Sequence, residues 1–345
     1  MAHESEGRSA KRQRAGEPQN TIMRSNIWRD DGNIVLMAEN VQFRVHRSQL
    51  IVNASGFSRL DELQLPNQHV EGCPLVKLPY SAIDVQHFLS ALYDPLSFSE
   101  PKLSLSFLRA IVRVGRKFDA RKLVAAAFQR LAYENPQTLE EYENLPGPVN
   151  RGNYKAAKYL HYRGVTMDVV TLARENELYT LLPCAYFRIV LYCDIDMILN
   201  GIENPETGRS RLSFEDQQLC LTAKQRIIEA QWRLNEVWTW LSTDVCAEDC
   251  TTASDNLCGL AKRDLFRNNV ALGHTLIPFR LADKQKHLCD ACNRRHVQVM
   301  AEARKKLWEE LPRFFKLAPW AELKDNIWSG EREIVGPLRH IVHAS

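Results

Sequence analysis

Two short stretches near the N-terminus alternate apolar and other residues with a period of two. The apolar positions are Ile34, Leu36 and Ala38 in the first stretch and Val41, Phe43 and Val45 in the second. Such alternation is typical of β-strands that bury one face. Only Glu39 and Asn40 separate the two stretches, and asparagine tolerates the positive φ that a short hairpin turn needs. The pattern therefore predicts a β-hairpin.

After the hairpin, the apolar spacing changes to the three and four residues of an α-helix. Ser81 and Asp84 have the spacing of a capping box, and the apolar face that follows ends at Leu92, before Pro95. Similar helical spacing recurs in 104–112, 123–131 and 168–189, while 75–78 is a short apolar strand. The pattern predicts an α/β unit, then helices throughout 138–200, a polar loop at 201–211 and one long helix over 213–241.

Composition and charge fit an ordinary globular protein with two domains. The 345 residues are 45% hydrophobic and 25% charged, and the net charge of +3 is too small to indicate nucleic acid or an acidic membrane. No apolar run is long enough to span a bilayer, and the N-terminus has no signal-peptide core, so we expect a cytoplasmic or nuclear protein. Residues 1–24 are polar and expected to be disordered. Their basic cluster at 11–14, KRQR, is either a nuclear-import signal or a solvated charge cluster.

The chemistry-bearing motifs of common enzymes are missing from this sequence. It has no phosphate-binding loop, no dinucleotide-binding glycine motif and no nucleophile elbow. We therefore predict that the protein is not an enzyme and has no catalytic or cofactor-binding residues. Since nine cysteines in a reducing compartment favour metal binding or burial over disulfides, metal binding is the chemistry that remains to be weighed.

Four cysteines form two close pairs in the C-terminal half. They are Cys246, Cys250, Cys289 and Cys292. Zinc takes four thiolate or imidazole ligands, and spacings of two to four residues let one turn supply two of them. His287 and His296 flank the second pair, and Cys258 is a spare candidate. The pattern makes a structural zinc site one interpretation of the C-terminal cysteines.

The second interpretation of the same cysteines is burial in an apolar core. Cys289, Cys292 and His296 stand at i, i+3 and i+7 of a predicted helix, so they share one face. A free cysteine packs as a small hydrophobic residue. The sequence leaves both interpretations open.

Residues 25–134 resemble a BTB/POZ domain of the kind found in a group of fungal proteins. The resemblance rests on several motifs that occur in the same order as in that family. Residues 30–36, DDGNIVL, match its first strand, residues 43–47, FRVHR, match its F-x-V-H-(K/R) motif, and Ser55 to Phe57 match its next helix. Tyr93-Asp94 matches the dipeptide that ends its strand–helix pair, and residues 114–123 match a later helical segment. The region after residue 138 is more loosely similar to the helical extension that follows such domains, with a joint near 201–212. The resemblance implies an α/β (α+β) domain followed by a predominantly α-helical region over 138–345.

A BTB/POZ domain implies protein–protein association, as a homodimer or a hetero-oligomer. By the resemblance, Asp30 or Asp31 lies at the dimer interface, and Phe43, His46, Ser55 and Phe57 support the fold. We expect His46 to be a buried imidazole that hydrogen-bonds backbone and caps the next helix.

The sequence thus predicts a non-enzymatic interaction scaffold, with two alternatives. Phe98-x-Glu100 is similar to the motif of adaptors that bind a cullin scaffold, which would make the protein a substrate adaptor of a cullin-type ubiquitin ligase. Phe98 could instead fold back on its own helix. The other alternative is a nuclear transcriptional regulator, against which stands the lack of a recognised DNA-reading module.

Overall fold

The computed structural model describes residues 21–145, 154–204, 208–233, 236–252, 254–271, 285 and 287–328. The strands of the N-terminal half are β1 (Met23–Trp28), β2 (Ile34–Ala38), β3 (Val41–Val45), β4 (Gln64–Val70) and β5 (Cys73–Leu78). They form one mixed sheet in the order β1-β3-β2-β5-β4. β3 is antiparallel to β2 and parallel to β1, and β5 runs parallel to β2. The predicted mixed α/β character is confirmed.

The predicted hairpin between β2 and β3 is present, but a different residue makes its turn. Ala38 pairs with Val41, so the connection has two residues, as expected. The positive φ, 52°, falls on Glu39 and not on Asn40. Glu39 also accepts a hydrogen bond from the backbone N–H of Ala82 at 3.0 Å. This bond ties the turn to the start of the next long helix and stabilises a conformation that glutamate rarely adopts.

Four α-helices and a 3-10 segment cover this sheet. The helices are α1 (Arg47–Asn53), α2 (Ala82–Tyr93), α3 (Leu105–Lys117) and α4 (Arg121–Glu134), and the 3-10 segment is Ser55–Leu63. Serines begin two of them: the side chain of Ser81 accepts from the N–H of Asp84, and that of Ser104 from the N–H of Phe107. Both helices start where the serine N-cap ends the extended backbone before them.

The second half of the described chain is mostly helical. Its elements are α5 (Leu139–Glu143), α6 (Val165–Glu175), α7 (Leu182–Tyr192), α8 (Ile195–Asn200), β6 (Ile202–Asn204), β7 (Gly208–Ser210), α9 (Phe214–Arg233), α10 (Glu236–Ser242), α11 (Leu257–Ala271) and α12 (Asp290–Phe314). None of the described helices has the length and apolar character needed to cross a bilayer.

The structure corrects three expectations about element bounds. β1 begins at Met23, inside the segment 1–24 expected to be disordered, because Met23 pairs with Val41 on β3. Residues 154–164 are not helical, and Tyr159 forms an isolated bridge with Leu103. The polar loop predicted at 201–211 contains the antiparallel strands β6 and β7. The helix predicted over 213–241 is present as α9 and α10, on either side of residues 234 and 235, which lie outside the described residues. The basic cluster at 11–14 lies outside the described residues.

The described chain has two large apolar cores and a third, small apolar cluster on β2 and β5 of the sheet. The main core is continuous from Ile27 on β1 to Phe315 after α12, so the sheet and most of the later helices share it. The second core is smaller and contains residues of α10, α11 and the first half of α12. α12 belongs to both: Met300 packs in the second core, whereas Leu307 and Leu311 pack in the main core. The candidate site lies in the second core.

Candidate metal centre

Four cysteine side chains converge at one edge of the second core. The sulfur atoms of Cys250, Cys258, Cys289 and Cys292 all lie within 4.8 Å of one another. Cys250 belongs to the turn after α10, Cys258 to the first turn of α11, and Cys289 is the N-cap of α12, with Cys292 in the turn that follows. Three separate elements therefore supply the group, which could hold a metal ion.

The spacing of the sulfur atoms suits tetrahedral coordination better than a disulfide. The Sγ atoms of Cys250 and Cys289 are 3.8 Å apart, and all nine cysteines of the chain are free thiols. A tetrahedral ion with metal–sulfur bonds of about 2.3 Å places its sulfur ligands about 3.8 Å apart. The measured distance agrees with such a four-thiolate site.

Hydrogen-bond donors point at the sulfur atoms from nearby backbone and hydroxyl groups. Cys258 Sγ accepts from the backbone N–H of Cys289 at 3.2 Å and from the hydroxyl of Thr252 at 3.0 Å. Cys292 Sγ accepts from the backbone N–H of Ala247 at 3.5 Å. Donors of this kind stabilise the negative charge of a thiolate, which is the form of cysteine that ligates metals.

The environment separates the pKa values of the cysteines at the start of α12. Burial opposes ionisation of Cys289, but backbone N–H donors of Cys292 and Thr251 and neighbouring thiols outweigh it and lower its pKa to about 6. Burial raises the pKa of Cys292 well above its usual range. Of these two thiols Cys289 is therefore the more readily ionised without a metal, and a bound cation would favour the thiolate form of Cys292.

A buried lysine lies behind the cysteine group. Lys262 is fully buried, and its ammonium group donates to the backbone carbonyls of Trp240, Thr243 and Val245 at 3.1, 2.7 and 2.6 Å. The ammonium nitrogen also lies 4.1 Å from the centre of the Trp240 ring. These contacts fix the turn that leads to Cys250 and place a positive charge near the thiols. Such a charge offsets part of the negative charge of a thiolate cluster.

The converging group differs by one residue from the set expected from sequence spacing. Cys258, the spare candidate, belongs to the group, and Cys246 does not, although the thiol of Cys246 lies close enough to interact with those of Cys250 and Cys292. His296 is buried on α12 and His287 is exposed, and neither is part of the group. The sequence offered no signal for Cys258 beyond its residue type, because its approach to Cys289 depends on how α10 packs against both α11 and α12.

Three of the motif residues named for the N-terminal unit hold its interior together. Phe43 and Phe57 are fully buried, and the Phe57 ring stacks on Phe118 with ring centres 3.9 Å apart. The Ser55 hydroxyl donates to a carboxylate oxygen of Asp119 at 2.6 Å. These contacts anchor the 3-10 segment after α1 to the end of α3.

His46 has a role different from the expected buried cap. It stands at the N-cap position of α1, yet its side chain makes no capping hydrogen bond with a described residue, and it is only half-buried. Its Nε2 lies 3.0 Å from the carboxylate of Asp31, and its Nδ1 lies 3.1 Å from the Tyr93 hydroxyl. The hydrogen bond with His46 lowers the pKa of Asp31. Asp30 and Asp31 are both exposed.

Phe98 and Glu100, the residues named for a cullin contact, differ in their exposure. The ring of Phe98 packs edge-on against Phe107, with ring centres 5.4 Å apart, and Phe98 is partly buried on the main core. The Phe98 carbonyl also accepts from the guanidinium of Arg130. Glu100 is exposed. The side chain of Phe98 therefore packs on α3, and not on its own helix as the second of the two alternatives drawn from the sequence expected.

Neither the four-cysteine group nor the N-terminal unit gains an assignment from known proteins. Comparison with protein-family models, with curated proteins and with solved structures found no match to this chain.

Proposed function

We propose that this protein is a non-enzymatic interaction scaffold, with a BTB/POZ-type unit over 25–134 that self-associates and a helical region braced by zinc. The observation that carries the proposal is the path of the chain through the sheet. A β2–β3 hairpin is followed by α1, and β5 returns parallel to β2 before α2, α3 and α4. This is the order that the motif resemblance implies.

The roles of the motif residues support the same assignment. Phe43 fills the core below the hairpin, and Phe57 and Ser55 join the segment after α1 to the end of α3. These residues were selected by resemblance alone, so their burial and contacts are an independent observation. Agreement between local motifs and tertiary contacts supports a fold assignment more strongly than motif spacing alone.

Exposed apolar side chains on β1 and, separately, on α1 support self-association. Met23, next to Ile22, is 53% exposed, and Val52 on α1 is 81% exposed. β1 is also an edge strand, so its outer backbone groups are available for pairing. Exposed apolar side chains next to a sheet edge are features of protein–protein contact surfaces.

Light scattering on the full chain tests self-association. The wild-type protein is expected to have twice the 39.7 kDa mass of one chain. Met23→Glu combined with Val52→Glu should shift it to one chain, because an interface cannot bury unpaired carboxylates. A matched control changes two exposed apolar residues of α8, Ile195→Glu and Leu199→Glu, and should leave the mass unchanged. A wild-type monomer at 100 μM, or equal dissociation of the control, would contradict the proposal.

Zinc is the metal that best fits the donor set of the candidate centre. Four thiolates in tetrahedral spacing are typical of structural zinc, whereas a catalytic zinc keeps one position for water or substrate. All four positions here would be taken by Cys250, Cys258, Cys289 and Cys292. Bound zinc would join the turn after α10 and α11 to the start of α12, so its role would be to fix the helices of the second core.

A further inference from the structure

The most deeply buried arginine of the described chain has no counter-ion in contact with it among the described residues. Arg188 on α7 is only 2% exposed. Its Nη1 donates to the side-chain oxygen of Asn135 at 3.2 Å, and its guanidinium lies 3.8 Å from the centre of the Tyr154 ring. Its Nη2 has no hydrogen-bond partner among the described residues. A buried charge left in this way is costly, so it marks a place where an anion would be stabilised.

The neighbouring carboxylate is already occupied by other donors. Glu134 is fully buried, and its Oε1 accepts from the backbone N–H groups of Ala157 and Lys158 at 2.6 and 2.7 Å. Its Oε2 accepts from the hydroxyl of Tyr154 at 2.8 Å. Tyr154 therefore contacts both groups, the arginine through its ring and the carboxylate through its hydroxyl. The carboxylate of Glu134 thus binds the backbone of the turn at 157–158 and does not directly neutralise the guanidinium of Arg188.

Arg188 forms part of the wall of a cleft of about 290 Å³. The cleft lies between α6, α7, α8 and the irregular segment 154–164, and Arg163 and His161 stand at its exposed side. Its apolar wall includes Ile189 and Met197. The described lining residues include no aspartate or glutamate. The cleft thus combines positive charge with apolar and aromatic surface, and its volume is close to the lower end of small-molecule sites.

We propose that this cleft binds a small carboxylate with an apolar body, whose carboxylate group engages Arg188. A guanidinium presents its N–H donors in a planar fork that matches a carboxylate, and the low-dielectric wall strengthens the contact. The apolar part of the ligand would lie against Ile189 and Met197, with Arg163 near the mouth adding long-range attraction. The inference does not depend on the interaction function proposed above.

Calorimetric titration of the full chain with paired probes tests the proposal. The probes are phenylacetate, 4-phenylbutyrate and octanoate, each compared with the neutral alcohol of the same carbon skeleton, together with inorganic phosphate. At least one carboxylate should bind about tenfold or more tightly than its alcohol, since a charge-assisted bidentate contact is lost in the alcohol. Arg188→Met keeps most of the side-chain length and should remove this preference.

Two surface variants keep the test independent of whether the buried substitution folds. Arg163→Glu, at the exposed mouth of the cleft, should weaken carboxylate binding several-fold while the alcohols are unaffected. Arg267→Glu is the matched control, because Arg267 is exposed on α11, outside the lining of the cleft. Equal binding of acids and alcohols, equal effects of the two surface variants, or binding of phosphate but of none of the carboxylates would overturn the proposal.

Discussion

Replacement of Cys258 by serine is the sharpest test of the candidate metal centre. Cys258 belongs to the converging group, whereas Cys246 lies beside the second core and does not. The two variants Cys258→Ser and Cys246→Ser make the same chemical change in the same part of the molecule. If the four-cysteine group binds zinc, the first variant should lose the metal and the second should keep it.

The stability lost with the metal can be estimated from the loop that the metal closes. Cys258 and Cys289 are 31 positions apart in the chain. Treated as a cross-link, closure of a loop of this length lowers the entropy of the unfolded chain enough to stabilise the fold by about 4 kcal/mol. For a chain of 345 residues that unfolds as one unit, a loss of that size corresponds to a fall in the unfolding midpoint of roughly 5 to 6 °C. The Cys246→Ser variant should stay within about 2 °C of the wild type.

Elemental mass spectrometry and calorimetry on the same chelator-rinsed samples provide the measurement. Wild type and Cys246→Ser should each carry about one zinc per chain, and Cys258→Ser should carry much less. Tryptophan fluorescence gives a second readout, because Trp238 and Trp240 are buried in the second core and would become more exposed.

Three outcomes would refute the reasoning about the centre. Wild-type protein without zinc would return the four cysteines to the role of core residues, the second interpretation of the sequence. Loss of zinc in Cys246→Ser with retention in Cys258→Ser would support the ligand set expected from sequence spacing. Equal loss in both variants would show that the converging sulfur atoms do not define the site.

Three further predictions concern the N-terminal unit and its junction with the helices. Phe57→Ala should lower the free energy of unfolding by about 3 to 5 kcal/mol in urea, because a fully buried, stacked ring leaves a cavity. The hydrogen bond from Ser55 lowers the pKa of Asp119 below its ordinary value of 3.8, so the stabilisation by this carboxylate is present above that pH and is lost as the pH falls through the lowered pKa. Ser55→Ala should therefore reduce the loss of unfolding free energy measured between pH 5 and pH 3. An unchanged dependence of the unfolding free energy on pH would contradict this. Glu134→Gln should cost about 2 to 4 kcal/mol, because two backbone N–H donors lose a buried carboxylate, whereas Glu140→Gln on the exposed surface of α5 should change the unfolding free energy by less than about 0.5 kcal/mol.

Local patterns in the sequence predicted the elements whose determinants are local. The β2–β3 hairpin and the serine-capped starts of α2 and α3 follow from alternation and from Ser81 and Ser104, and the structure has them. β1 was missed because its pairing with β3 depends on a distant strand and not on its own alternation. The short β6–β7 hairpin was missed for a related reason, since residues 201–211 are polar and carry little periodicity.

The candidate centre shows the same limit for side chains. The spacing of Cys289 and Cys292 identified one pair of ligands, because two residues in one turn are close in any helix start. The partner pair depends on the packing of α11, which brings Cys258 within reach of the N-terminus of α12. Arg188 carries no sequence signal at all: it is one polar position in the apolar helix α7, and only its burial without an acid makes it notable.

The position of α12 in both cores has a consequence for the order in which the chain is made. About 280 residues separate Ile27, an early member of the main core, from Leu307 on α12. At ribosomal rates this interval takes roughly 14 to 56 s. During that time the surfaces that Leu307 and Trp308 will cover stay exposed, and Cys250 and Cys258 are made before Cys289 and Cys292, the other two members of their group. Neither core can be completed during synthesis before this helix emerges.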